Sequence, residues 1–224
     1  MSVDNKYKKH ELRTHIYERP AMYIGTIEPT PIDTYIIDNS NKIIRKQISY
    51  IPGLFKIFDE ALVNAIDHSV RTREEVAKGD LTINIVKNIK IYINKATGII
   101  EILNDGDGIE IIKHSEYDIY IPELIFGELL TSSNYNDDEV RTIGGMNGLG
   151  IKLANIFSKE FTIETIDHIR KKLYKQTFKE NLTIKEEPEI KTCQKKPYTK
   201  ITFMPDYQKF GLKEMTDDMY DLFK

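Results

Sequence analysis
Apolar residues recur at helical spacing between Gly53 and about Ala77. Leu54, Ile57, Phe58, Ala61, Leu62, Ala65 and Ile66 follow the i, i+3, i+4, i+7 pattern, which predicts one long amphipathic helix there. Before it, the β-rich runs 34–37 and 42–48 flank Asp38-Asn39-Ser40-Asn41, a turn-forming tetrad, and predict a hairpin. After it come two more strands, 89–93 and 99–103, joined by Asn94-Lys95-Ala96-Thr97-Gly98. The second ends in Asn104-Asp105-Gly106-Asp107-Gly108. Helices are expected over 122–130 and 149–158, separated by a polar loop, 131–143, and a glycine-rich stretch. A strand over 161–166, a charged hairpin across 170–185 and a last strand over 198–204 complete the pattern. Residues 2–16 are polar, with Leu12 and Ile16 at helical spacing, and read more as an arm than as core. Helices and hairpin strands in this order predict an α+β fold: a mixed sheet covered on one face by helices.

Composition narrows the class without naming a function. A chain of 224 residues with 40% hydrophobic and 30% charged content suits one soluble domain with a sizeable core. A net charge of −3 argues against a strong nucleic-acid-binding face within these residues. Lys171, Lys172, Lys175 and Lys179 cluster, as do Lys195, Lys196 and Lys200, and both groups read as solvated lysines on a hairpin. The single cysteine, Cys193, rules out an intramolecular disulfide and fits a reducing, intracellular setting. No apolar run approaches membrane-spanning length, and the N-terminus does not resemble a signal peptide.

Chemistry concentrates in three places. Thr142 to Lys152 holds four of the chain's 12 glycines, at Gly144, Gly145, Gly148 and Gly150, and runs into the apolar-periodic segment from Lys152 to Phe157. Glycines free the backbone to aim successive N–H groups at one concavity, and a following helix start adds further N–H donors and a positive dipole end. Glycine content alone equally fits a flexible surface loop. The Walker pattern fails, because Ile151 and Lys152 follow Gly150 where Lys and Ser/Thr should stand; the dinucleotide pattern lacks its third glycine.

The long helix carries the second feature. Glu60, Asn64, Asp67 and His68, at i, i+4, i+7 and i+8, fall along one face. A carboxylate there suits a general base, and a carboxamide oxygen one turn on suits Mg²⁺. Such a stripe alone is more often a wet helix face, and His68 fits a structural hydrogen bond as well as any role in chemistry. The third feature, the turn from Asn104 to Gly108, is by itself commonly no more than a turn. Its first residue could meet an adenine's exocyclic amine while the glycines admit the ring.

Carboxylate-bearing helix, strand-end turn and glycine-rich stretch, in that order, resemble the GHKL ATPase superfamily, and the wording is closer still. Lys56 to Ala65, Pro122 to Tyr135 (with Leu129-Leu130-Thr131-Ser132-Ser133-Asn134-Tyr135) and Gly144-Gly145 with Asn147-Gly148 and Gly150 strongly resemble eukaryotic-type DNA topoisomerase II. Arg19 to Gly25 and Tyr198 to Phe203 do so too, so the resemblance runs from about residue 5 to the last residue.

The resemblance implies a GHKL (Bergerat-type) two-layer sandwich over 26–224, preceded by an N-terminal arm or strap over 1–25. It implies ATP and Mg²⁺ as cofactors. Glu60 would activate water, Asn64 would ligate Mg²⁺, and Asn104 would face the adenine with Thr199 supporting that end. Ser132, Ser133 and Asn134 would contact ribose and phosphate. Gly145, Asn147, Gly148, Leu149 and Gly150 would wrap the triphosphate and Lys152 would pair with a phosphate. Tyr7 would reach the nucleotide of the other subunit. ATP binding would join two such domains as a homodimer and close a gate on a double-stranded DNA captured by the full-length enzyme. Rival family readings are another GHKL ATPase (MutL-like, chaperone-like or a histidine kinase) and a non-hydrolysing dimerisation clamp.

Three departures from the family pattern stand out: Met146 for a usual Arg, His68 for a usual Asn, and the acidic pair Asp105 and Asp107, whose charges would disfavour a triphosphate unless offset. In the family a transducer and a DNA-cleaving region follow, so this chain alone is expected to bind nucleotide weakly and hydrolyse it slowly or not at all. Heavy use of Ile, Lys and Asn points to an AT-rich genome, a parasite or a large DNA virus. Residence in the nucleus, or in host cytoplasm or virion, follows from that.

Overall fold
The computed structural model describes residues 11–38, 40–129 and 148–224. The long periodic segment forms α2 (Pro52–Ala77), opened by Pro52 at a position where its missing N–H costs nothing. Gly53, Leu54, Ile57, Phe58, Ala61 and Ala65 are its buried stripe. α2 packs on α4 (Gly150–Ile156) and on β4 (Ile99–Asn104). α4 is buried on every side from Ile151 to Ile156, so it is a core helix with one turn of neighbours all round. α1 (Leu12–Glu18) sets Ile16 fully inside the same core, with Leu12 and Tyr17 against it.

The main sheet runs β3 (Ile89–Asn94), β4, β9 (Thr199–Pro205), β5 (Ser158–Asp167), β6 (Lys172–Lys179), β7 (Ile184–Lys185), with β8 (Glu189–Thr192) also on β6. Every ladder among the described residues is antiparallel, a more uniform sheet than the pattern alone specifies. Alternation in β9 buries Ile201 and Phe203 toward the helices and leaves Lys200, Thr202 and Met204 half exposed. One face is therefore under helices and the other is half open, the α+β two-layer arrangement expected.

β1 (Thr30–Ile37) and β2 (Ile43–Tyr50) form a separate two-stranded sheet. α5 (Asp217–Phe223) ties it down: the Asp218 carboxylate accepts from the Ser49 amide at 2.8 Å and from Lys46 at 3.1 Å. Lys171, Lys172, Lys175, Lys195 and Lys196 are exposed as expected, whereas the half-buried Lys179 and Lys200 are ion-paired, with Glu186 and, at 3.2 Å, with Glu164.

Candidate functional site
Three central strands bring three polar side chains into one row on the helix side. Asn104 stands opposite Thr199, and Thr199 opposite Thr165. The Thr165 hydroxyl lies 3.0 Å from that of Thr199, donates to the Tyr198 carbonyl at 3.1 Å and accepts from the Ile109 amide at 3.0 Å. Asn104 is 4% exposed, and its Oδ1 has no hydrogen-bond partner among the described residues. A buried acceptor left unmade costs about 1–3 kcal/mol, so Asn104 calls for a donor.

The turn after β4 is packed so closely that its glycines are obligatory. A Cβ at Gly108 would overlap the Ile166 carbonyl, and one at Gly106 would overlap Val86 and come within 3.3 Å of His68 Nε2. The two acidic residues of this turn have hydrogen-bond partners within the chain. Asp105 accepts from the amides of Lys87 and Asn88 and from the Asn88 side chain, all at 2.7 Å, and these bonds hold its carboxyl below the usual range against the opposing effect of burial. Asp107 accepts from Asn84 Nδ2 at 2.6 Å. Both carboxylates are occupied in fastening the 84–88 segment.

On α2, the Glu60 carboxylate is ion-paired with Lys56 at 2.6 Å. The hydrogen bond to Glu60 outweighs burial and raises the Lys56 pKa. The i, i+4 spacing of these two residues was visible in the sequence and marked no role there. Gly150, the last glycine of the run, lies directly against Glu60, so that a Cβ there would collide with Oε2. Gly148 adopts φ +59, the left-handed backbone that glycine allows. Lys152 is 1% exposed; burial, partly offset by the negative charge of Glu128, brings its pKa down to about 8.

The structure thus sets Gly150 against Glu60 on α2, with Asn64 half-buried on the same stripe, places Lys152 on the buried helix that Gly150 opens, and pairs Asn104 with Thr199 at the strand ends. Tyr7, Ser132, Ser133, Asn134, Gly145, Met146 and Asn147 lie outside the described residues. Thr165 was missed, since a threonine in a strand carries no signal until the register is known. His68, left open by the sequence, donates from Nε2 to the Asp107 carbonyl at 2.8 Å. Two cavities, of about 270 and 200 Å³, are lined by Ile91, Ile93, Tyr220, Phe223 and Lys224 and by Ile99, Glu160, Thr202, Phe203 and Met204; neither includes the groups above.

A family model described as histidine kinase-, DNA gyrase B- and HSP90-like ATPase matches residues 50–208, which spans all of these groups. The chain belongs to this ATPase family. ATP is the ligand that membership implies. Within the family the chain is 48% identical over 228 residues to DNA topoisomerase 2 of Acanthamoeba polyphaga mimivirus, covering all of this chain and 17% of that protein. It is 47% identical over 222 residues to a probable DNA topoisomerase 2 of Dictyostelium discoideum, covering 99% of this chain and 14% of the relative. The chain therefore spans about a sixth of the relatives it matches. The solved ATPase region of Saccharomyces cerevisiae topoisomerase II superposes with a TM-score of 0.89 at 43% identity, over 99% of this chain and 56% of that one. The ATPase domain of Thermus thermophilus gyrase B shares the fold, with a TM-score of 0.60 at 20% identity over 92% of this chain and 42% of that one.

Proposed function
We propose that this chain is the ATP-binding and hydrolysing gate domain of a type II DNA topoisomerase. The observation that carries the nucleotide reading is the orphaned Oδ1 of Asn104, buried beside Thr199 and Thr165 at the strand ends. An exocyclic amine of adenine supplies the donor it lacks; guanine presents a carbonyl at the equivalent ring position and would leave the acceptor unpaired. Where the Thr165 proton goes to the Tyr198 carbonyl, Thr199 donates to Thr165 and keeps both of its own lone pairs as acceptors.

With adenine there, the phosphates extend toward Glu60 and Gly150. Glu60 is the base for an attacking water, kept in place by Lys56 and by the absence of a side chain at Gly150. Gly148, Leu149 and Gly150 offer backbone N–H groups to the phosphates, and Lys152, on the helix that Gly150 opens, would bring a cation to them. The roles of Ser132, Ser133, Asn134, Gly145, Asn147 and Tyr7 rest on sequence resemblance alone.

Mg²⁺ fits the donor set, which is oxygen-rich and presents the Asn64 amide one turn from Glu60. Asn64 would hold the ion, with substrate phosphates and water as its other ligands, and the ion would neutralise phosphate charge. ATP-driven pairing of two such domains around a DNA duplex, in the setting of a longer chain, completes the reading.

Titration calorimetry of the chain with a non-hydrolysable ATP analogue and Mg²⁺ tests it. Binding that needs Mg²⁺, disappears in Asn104→Ala and is not reproduced by NAD is expected. NAD binding in place of ATP would overturn it.

A further inference from the structure
His68 sits eight residues beyond Glu60, roughly 12 Å along α2, at the end of the helix face nearest the strand-end turn. Its two ring nitrogens have different partners. Arg71 Nη2 lies 2.7 Å from Nδ1, and a guanidinium only donates, so Nδ1 must accept. The ring proton is thereby placed on Nε2, which donates to the Asp107 carbonyl at 2.8 Å. The remaining hydrogen bonds of this turn come from elsewhere. The Asp107 amide donates to the Asn84 carbonyl at 3.1 Å, Asp105 accepts from Lys87 and Asn88, and Ile109 donates to Thr165 on β5. Among the described residues, His68 alone ties the turn by a hydrogen bond to α2.

We propose that His68 is a positioning residue of the nucleotide site: its Nε2–H bond to Asp107 fixes the base-binding turn to the helix that carries Glu60 and Asn64, and Arg71 selects the tautomer that makes this bond. The inference rests on the nucleotide reading given above. Base recognition and water activation come from different layers of the fold, the sheet and the helices. A hydrogen bond that sets their separation keeps the triphosphate in register with Glu60, and register errors of about 1 Å can cost a hundredfold in rate.

The charged and titratable groups around the ring are Arg71 and Asp67 on α2, Asp107 in the turn, and His168, whose Nδ1 is 3.5 Å from the Asp107 carboxylate. Burial and the Arg71 charge both hold the His68 pKa below its ordinary 6.5, in keeping with a neutral ring. A second proton would set an N–H against the Arg71 donor and loosen the arrangement. With the folded value lowered, the tie is intact above about pH 6.5 and weakens as pH falls through the lowered value.

The test pairs His68→Gln with His68→Met. Glutamine places an N–H donor near the position of Nε2, whereas methionine keeps comparable bulk without one. Two readouts apply to the whole chain: affinity for an ATP analogue with Mg²⁺ between pH 5.5 and 8, and hydrogen exchange of the Asp105 and Asp107 amides. The Met variant is expected to bind roughly tenfold more weakly and to exchange these amides faster. The Gln variant should restore both and lose the acid-side fall in affinity beyond the nucleotide's own titration, while His168→Gln keeps that fall. A Met variant equal to wild type, or a Gln variant as poor as Met, would overturn the proposal. Absence of nucleotide binding in every variant and in wild type would count against the functional reading instead, and amide exchange would then decide the role of His68 by itself.

Discussion
Two glycine-bearing segments meet α2, and they are held in different ways. The turn from Asn104 to Gly108 is fastened on three sides, by His68, by Asn84 to Asn88 and by Thr165, and its glycines are forced by backbone and buried side chains close by. The end of the glycine run, from Gly148 to Lys152, is placed by the burial of α4 and its packing on α2, with Gly150 against the Glu60 carboxylate. One end of the site is thus preorganised by hydrogen bonds. At the other, Lys152 is buried and its pKa is brought down to about 8. In the function proposed above, the base would meet a turn that the fold itself holds, and the phosphates would meet the glycine-bearing helix start beside Glu60.

The same substitution at the two glycines separates these regimes and carries the largest expected effects. Gly108→Ala drives a methyl group into the Ile166 carbonyl, which cannot move without breaking the sheet. A loss of about 3 kcal/mol is expected, lowering Tm by roughly 6–12 °C in thermal unfolding. At Gly150 the obstacle is the far end of a flexible glutamate, so Gly150→Ala should fold with Tm within about 3 °C of wild type. It should nevertheless push Glu60 off Lys56 and cut ATP turnover by at least about tenfold, measured in a longer chain that hydrolyses ATP, with Glu60→Gln as the reference for full loss. Equal destabilisation by both alanines would erase the distinction between the two ends.

These differences show what the sequence could and could not display. The long period from Leu54 to Ile66 made α2 legible, and Glu60 and Asn64 with it, because helical spacing fixes which residues share a face. Alternation revealed the strands, but their order was invisible: nothing in the wording of 158–167 and 199–205 says that Thr165 stands against Thr199. The acidity of Asp105 and Asp107 was legible as charge, but their partners were not, since these lie about twenty residues away in a loop without periodicity. Boundaries shifted at the glycine run, where α4 is Gly150–Ile156 and β5 begins at Ser158, three residues earlier than its apolar pattern.

Burial of Lys152 gives the next effect. Its folded pKa of about 8 lies below the unfolded 10.5, so between these values the unfolded chain binds more protons and stability rises with pH. A phosphate beside the ammonium should return the pKa toward its ordinary value. At pH 9, ATP-analogue binding is then expected to take up as much as about one proton, seen as a dependence of calorimetric enthalpy on buffer ionisation heat. Lys152→Met should remove that uptake and flatten the alkaline rise in stability. Uptake unchanged in Lys152→Met would mean that the phosphates lie elsewhere.

The smallest expected effect sharpens the preorganised end. In Thr199→Val the hydroxyl is replaced by a methyl group of similar size on a strand where valine is at home. Thr165 keeps its bonds to the Ile109 amide and the Tyr198 carbonyl, so stability should change by less than about 1 kcal/mol. Affinity for an ATP analogue should fall only about threefold, against roughly tenfold for Asn104→Ala, because the lost group is one of several at the base end while Asn104 supplies its orphaned acceptor. Adenine over guanine preference should survive Thr199→Val and collapse in Asn104→Ala. The reverse order would place base recognition on the threonine pair of β5 and β9 and leave the Asn104 acceptor to water.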